Sequence, residues 1–208
     1  MTDEVLLELG HLVETALTDA LMALASHDLV QADKVVRGDL EINHLRYKIE
    51  EQITARLASG DVGDTRWMVA ALYVISELER MGDHAEGIAK VTLMLGPNPS
   101  LPVPTVIGEM GTLTISIVDR TLAALDKRDI EAARALCLED DEIDSLYDRA
   151  YQELISTMVS EQRHITEATY MIWVTHNLER IADRATNICE RVVYLVTGRV
   201  EELNVSKY

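Results

Sequence analysis

Apolar side chains recur along this chain at three- and four-residue steps, the spacing of one face of an α-helix. Leu78, Met81, Ala85 and Ile88 trace one such stripe, and Leu178, Ile181, Ala185, Ile188 and Val192 trace another. Strand-like alternation between glycine or proline punctuation is missing. The pattern predicts helices over residues 5–26, 29–57 and 65–95, with Gly38 a candidate interruption of the second. Gly60, Asp61, Gly63 and Asp64 mark the break before the third, with Asp64 or Thr65 as its N-cap. A second set is predicted over residues 104–127, 130–160 and 166–197, with Gly198 ending the last. A helix of about 30 residues spans about 45 Å.

The two sets resemble each other in sequence. Sliding the chain by 101 residues lays Gly10 on Gly111, Leu21 on Leu122, Asp28 on Asp129, Asp39 on Asp140 and Ile42 on Ile143. The offset then becomes 100, and Leu78-Glu79-Arg80 falls on Leu178-Glu179-Arg180, with Asp83 on Asp183. All four prolines lie in residues 96–104, between the two copies. The expected organisation is therefore a first repeat at 1–96, a Pro-rich linker at 97–104 and a second repeat at 105–208. The fold class is all-α: two tandem three-helix bundles related by internal duplication.

Composition narrows the function. The 208 residues carry 36 acidic and 19 basic side chains, a net charge of −17, and no run of five or more basic residues. Such a surface repels a phosphate backbone, which excludes nucleic acid as a partner. The start, Met1-Thr2-Asp3-Glu4, lacks the basic-then-apolar pattern of a secretory signal. The longest apolar run, residues 68–75, is too short to enter a bilayer, so a cytoplasmic protein is expected. Cys137 and Cys189 have no metal-ligand spacing and read as packed free thiols.

The candidate chemistry lies in paired carboxylates. Glu79/Asp83 and Glu179/Asp183 sit at i and i+4, one turn apart on one helix face, opposite the apolar stripes. The second helix of each repeat carries the related pair Asp140/Asp144 and its counterpart Asp39/Asn43. Like charges at this spacing repel, and only Asp83 and Asp183 have an arginine three residues away, Arg80 and Arg180. If helices two and three of a repeat are neighbours, up to four oxygen donors converge, a set suited to Mg, Mn, Fe or Zn. Arg180, Arg184 and Arg191 form a basic cluster that either meets an acidic partner or phosphate, or pairs with surplus acids between helices. No nucleophile–base pair or phosphate-cradling glycine loop argues for catalysis, and no enzyme activity is expected.

These residues have a family likeness. Asn177-Leu178-Glu179-Arg180-Ile181-Ala182-Asp183, with the run on to Gly198, closely resembles the terminal signature of the PhoU family of phosphate-uptake regulators. Ser76 to Asp83 is similar to its first-repeat counterpart, and Gly38 to Leu45 and Asp140 to Leu146 resemble its second-helix motif. The resemblance covers essentially the whole chain. It implies two three-helix bundles whose E(D)xxxD motifs hold multinuclear metal clusters on the surface. Carried over, the metal ligands are Glu79, Asp83, Glu179, Asp183, Asp140, Asp144 and Asp39, with Asn43 replacing a carboxylate by a neutral amide. It also implies a negative regulator of phosphate uptake and of the phosphate-starvation response. Such a protein links the ATPase of a phosphate ABC transporter to a sensor histidine kinase, and a homodimer is the expected assembly. Two alternatives are a di-iron carboxylate enzyme, using Glu8/His11, Glu41/His44 or Glu161/His164, and a metal-free helical adaptor.

Overall fold

Asp28 and Asp129, equivalent in the two repeats, begin their helices in the same way. In a computed structural model that describes residues 4–60 and 63–203, Asp28 Oδ1 accepts from the Val30 and Gln31 N–H groups at 2.9 and 3.0 Å, and Asp129 Oδ1 from Ala132 N–H at 3.0 Å. The residues just before them, His27 and Arg128, both take left-handed backbone, at φ 54° and 51°. The turn between helices one and two is thus duplicated down to its dihedrals. Asp64 caps the third helix through Trp67 N–H at 3.0 Å, as the sequence suggested; Asp61 lies outside the described residues.

The elements are α1 (Glu4–Ser26), α2 (Leu29–Ala58), α3 (Thr65–Leu95), α4 (Thr105–Lys127), α5 (Ile130–Leu138), α6 (Asp140–Ser160), a 3₁₀ turn (Gln162–His164) and α7 (Ile165–Thr197). No strand occurs among the described residues, and none of their helices is long and apolar enough to cross a membrane. Gly38 does not interrupt α2, which runs through it. Gly198, at φ 72°, ends α7 as expected.

The second repeat departs from expectation at Glu139, which splits the single helix expected over 130–160 into α5 and α6. Four acids stand in a row here, Glu139 to Glu142. Inside one long helix they would repel one another, whereas in a first turn they face the positive end of the helix dipole. The chain takes the second arrangement through tight i→i+3 bonds, Glu139 N–H to Leu136 O at 3.1 Å and Glu142 N–H to Glu139 O at 3.0 Å. Arg120 of α4 clamps the corner with two bonds to the Glu139 carboxylate, at 2.6 and 2.7 Å, and holds that carboxyl below its usual pKa.

The two bundles share one core. Leu78 and Met81 of α3 and Leu178 and Ile181 of α7 are buried, and α3 packs antiparallel on α7 along the seam between repeats. The α1–α4 contact is reciprocal: a Cβ on Gly10 would run into Leu122 Cδ2, and one on Gly111 would stand 3.0 Å from Leu21 Cδ1. Each glycine makes room for the equivalent leucine of the other repeat. Cys137 and Cys189 are buried free thiols, as expected.

Residues 96–104 are no loose tether. The Glu167 carboxylate, in the first turn of α7, accepts from Ser100 N–H at 2.7 Å, Ser100 Oγ at 2.7 Å and Leu101 N–H at 2.9 Å. His164 Nδ1 lies 3.2 Å from both Glu167 Oε2 and Ser100 Oγ. Burial works against the charged carboxyl, but these bonds outweigh it and hold Glu167 at about 2.

Candidate functional site

In both repeats the carboxylate motif lies where the second and third helices of a bundle meet, α2 on α3 and α6 on α7. On α3, Glu79, Gly82, Asp83 and Glu86 are spaced i, i+3, i+4 and i+7 and so share one face. Gly82 lets α2 come close: a Cβ there would lie 3.1 Å from Ile42 Cδ1 and 3.6 Å from Asp39 Oδ1. Asp39 is therefore laid over the α3 face that carries Glu79, Asp83 and Glu86. Asn43, one turn on, donates to Asp39 Oδ2 at 2.6 Å and fixes that oxygen. Asp39 Oδ1 is buried and has no hydrogen-bond partner.

This packing raises the pKa of three carboxyls. Asp39 goes up through burial and then through the charges of Glu86, Asp83 and Glu79, with the Asn43 bond opposing. Glu79 is raised by burial and by Asp83, against Arg46 and Arg80. Asp83 is raised by burial and by Glu86, against His84, Lys90 and Arg80. Among the described residues no basic side chain makes an ion pair with Glu79 or Asp83.

The second copy is arranged differently. Arg180 Nε lies 3.1 Å from Glu179 Oε2, and its Nη1 3.0 Å from Asp183 Oδ2, so one guanidinium spans both motif carboxylates. Counting only i±3 and i±4 neighbours missed the first of these, because an adjacent arginine can fold back along the helix. His176 Nδ1 stands 3.8 Å from Glu179. Asp183 is still raised, by burial first and by Asp144, while Arg180 and Arg184 pull it down. Glu179 and Asp183 do not point fully away from the core as the apolar stripe suggested. They are half-buried, because α7 is surrounded by α3, α4, α5 and α6. The Asp140 side chain lies outside the described residues.

Among the described residues no three His, Cys, Asp or Glu side chains converge on a point suited to a metal ion. The first-repeat face is thus a row of donors and not a closed pocket. Its chemistry nonetheless suits a cation in two respects: a buried oxygen on Asp39 without a hydrogen-bond partner, and neighbouring carboxyls that repel one another. The Glu-x-x-His pairs of the di-iron alternative are not gathered. Glu8, His11, Glu41 and His44 are exposed on α1 and α2, and His164 is engaged by Ser100 and Glu167.

A prediction follows for chelator-treated protein. Raised carboxyls favour folding most below the ordinary carboxylate pKa, and that advantage is lost as pH rises through their folded values. At pH 7.5 the row therefore destabilises the fold, and Asp83→Asn is expected to stabilise it by about 0.5 kcal/mol, the size of one relieved i,i+4 repulsion. The gain shrinks toward pH 4. Urea titrations at the two pH values measure it; a loss of stability at pH 7.5 would contradict the repulsion.

Sequence reasoning offered interhelical pairing for Arg184 without its partner, and missed the rest of the polar seam between repeats. Arg184 Nη1 and Asn187 Nδ2 donate to Glu77 Oε2 at 3.2 and 3.1 Å. At the equivalent place His84 Nδ1 meets Asn177 Oδ1 at 2.9 Å, and burial lowers the His84 pKa. The offset of 100 pairs Glu77 with Asn177 and His84 with Arg184, so these are two versions of one contact. The signal available was Glu77 itself, an acid beside an apolar stripe. Arg191 lies 4.4 Å over the Tyr73 ring. The basic cluster is thus spent mainly on interhelical and local pairing.

Comparison with known proteins adds to this geometry. The PhoU domain family matches residues 6–92 and again residues 107–192. A phosphate-specific transport system accessory protein PhoU homolog of Streptococcus pneumoniae is 36% identical over 200 residues, covering 95% of this chain and 93% of the relative. A homolog of the same description from Clostridium acetobutylicum is 32% identical over 202 residues, covering 96% and 92%. The crystal structure of the phosphate transport system regulatory protein PhoU from S. pneumoniae superposes with a TM-score of 0.89 at 34% identity, over 96% of this chain and 95% of that one. PhoU from Pseudomonas aeruginosa gives a TM-score of 0.89 at 31% identity, over 94% and 95%.

Proposed function

The chain belongs to the PhoU family, and from that membership we propose that it is a cytoplasmic negative regulator of phosphate uptake and of the phosphate-starvation response. In this reading it works as a homodimer that couples the ATPase of a phosphate ABC transporter to a sensor histidine kinase. The observation that carries it is the match of both repeats, over nearly the full chain, to relatives described as accessory to phosphate-specific transport. The buried polar seam adds support, because it joins the repeats into one body that can present two surfaces in fixed relation.

The acidic faces belong to the same reading as metal sites. Asp39, Glu79 and Asp83, with Asn43 beside them, hold a cation in the first repeat; Asp140, Asp144, Glu179 and Asp183 do so in the second. A bound divalent ion would supply the positive charge that lets neighbouring carboxylates stay ionised together. The chain's part is to hold Asp39 over α3 through Asn43, and to offer Arg180 as an internal counter-charge in the second repeat.

Deleting the gene is expected to leave phosphate-responsive genes switched on in phosphate-rich medium, with repression restored by the wild-type chain. Normal repression in the deletion strain, with no second copy of the gene, defeats the regulatory reading. Retention of the transporter ATPase and the kinase on the immobilised chain tests the coupling separately.

A further inference from the structure

We propose that Cys137 and Cys189 form a reversible redox pair: hydrogen peroxide oxidises the two thiols to one disulfide that staples α5 to α7.

The fold brings the two cysteines together from distant parts of the second repeat. Cys137 Sγ, on α5, stands 3.9 Å from the carbonyl oxygen of Thr186, which lies one turn before Cys189 on α7. The two thiols hydrogen-bond to each other. Cys189 Sγ also lies 3.6 Å from Thr121 Oγ1 of α4, so side chains of three helices close around the pair. Sulfurs in such contact need only side-chain rotation and a small helix shift to reach the ~2.0 Å of an S–S bond.

Packing alone does not require sulfur here. At the offsets of 101 and 100, the counterparts of Cys137 and Cys189 are Val36 and Ala89, on the matching helices of the first repeat. Apolar side chains serve at the equivalent positions, and the second repeat replaces both of them with thiols.

Burial selects the oxidant. Cys189 is 0% exposed and Cys137 5%, so a protein or peptide disulfide cannot reach either sulfur in the folded chain. Peroxide is small, and a groove of about 160 Å³ between α4 and α5 runs alongside the pair. It is lined by Arg120 and Leu136, the chain neighbours of Thr121 and Cys137.

Cys189 is the attacking group. Its hydrogen bond with Cys137 lowers its pKa; burial opposes this, and the bond with the Thr121 hydroxyl adds to the lowering. The Cys189 thiolate attacks one peroxide oxygen and the O–O bond breaks, leaving a sulfenic acid and a hydroxide that takes the thiol's proton to become water. The Cys137 sulfur then attacks the sulfenic sulfur. The S–S bond forms, the S–O bond breaks, and the departing hydroxide takes the Cys137 proton as a second water. Two electrons have passed from the sulfurs to one peroxide. A small dithiol reverses the step by exchange and is itself oxidised to a disulfide.

The staple acts on a helix that anchors two other segments. Arg120 clamps Glu139 at the end of α5, where α6 begins, and Arg134 of α5 donates to Glu201 beyond α7 at 2.7 Å.

The test treats the reduced, folded full chain with hydrogen peroxide, then alkylates free thiols under denaturing conditions and reads the intact mass. The expected product has lost the mass of two hydrogen atoms and takes up no alkylating agent. Its peptide map joins Cys137 to Cys189 within one chain, and its Tm rises by about 5–10 °C, a shift that dithiothreitol reverses. Cys137→Val combined with Cys189→Ala, which copies the first repeat, should keep the Tm of the reduced chain and show no shift with peroxide. Cys137→Val alone should instead gain oxygen at Cys189. Thiols left unreacted in the folded chain, oxygen added to each sulfur separately, or a disulfide that forms only in urea overturns the proposal. A bond between two chains overturns it as well.

Discussion

Replacing Glu77 by alanine is expected to lower the unfolding free energy by about 3 kcal/mol, the usual cost of stranding one partner of a buried ion pair. Glu77 and Arg184 side chains are only 14% and 21% exposed, and Arg184 Nε is already buried without a partner. Without Glu77, the guanidinium keeps its charge between α3 and α7 and loses the oxygen it donates to, and Asn187 loses the same acceptor. For a chain of this length the fall in Tm is about 6–12 °C. Asn177→Ala, at the equivalent position, removes only neutral bonds and is expected to cost about 1 kcal/mol. Urea unfolding of the two variants compares them directly. Equal losses would mean that charge plays no special part in joining the repeats. Replacing Glu77 and Arg184 together by leucine and methionine should recover most of the stability, because no charge is then left stranded.

Glu167→Ala is the second large effect, at about 2–3 kcal/mol, since it removes a carboxylate that accepts several bonds at once. The variant frees residues 96–104 from the first turn of α7, so limited proteolysis should cut there faster than in wild type. The carboxyl is held at about 2 when folded, below its ordinary value of 4.5. A depressed carboxyl contributes its stability above the unfolded pKa and loses it as pH falls through the folded one. The gap between wild type and Glu167→Ala is thus full at pH 7 and closes from about pH 4.5 down toward pH 2. A gap that stayed constant across this range would show that packing, not the ionised carboxylate, holds the linker. This acid loss runs opposite to the expectation for Asp83, whose raised carboxyl favours the fold on acidification. The two terms separate by variant.

Much of the fold was legible before any coordinates. The apolar stripes placed the helices, Asp64 marked the start of the third, and the glycines, leucines and aspartates matched at an offset of 101 announced the duplication. Those signals are local or periodic, and helix formation depends on them directly. The break at Glu139 has no glycine or proline to mark it. It depends on four acids preferring a helix start and on Arg120 from another helix clamping the corner. The linker was visible as prolines, but its attachment was not, because Glu167 lies 67 residues beyond Ser100.

The candidate site divides in the same way. Sequence alone determined that carboxylates recur at i,i+4 on the third helix of each repeat, and that Asn43 departs from its counterpart Asp144. Only the tertiary structure decided that the two copies are electrostatically unlike. Arg180 reaches both Glu179 and Asp183, while Asp39 is pressed over Gly82 among acids that Asn43 cannot neutralise. The physical reason is range: helical periodicity fixes which side chains share a face, but charge is settled by whatever the neighbouring helix brings within a few ångströms.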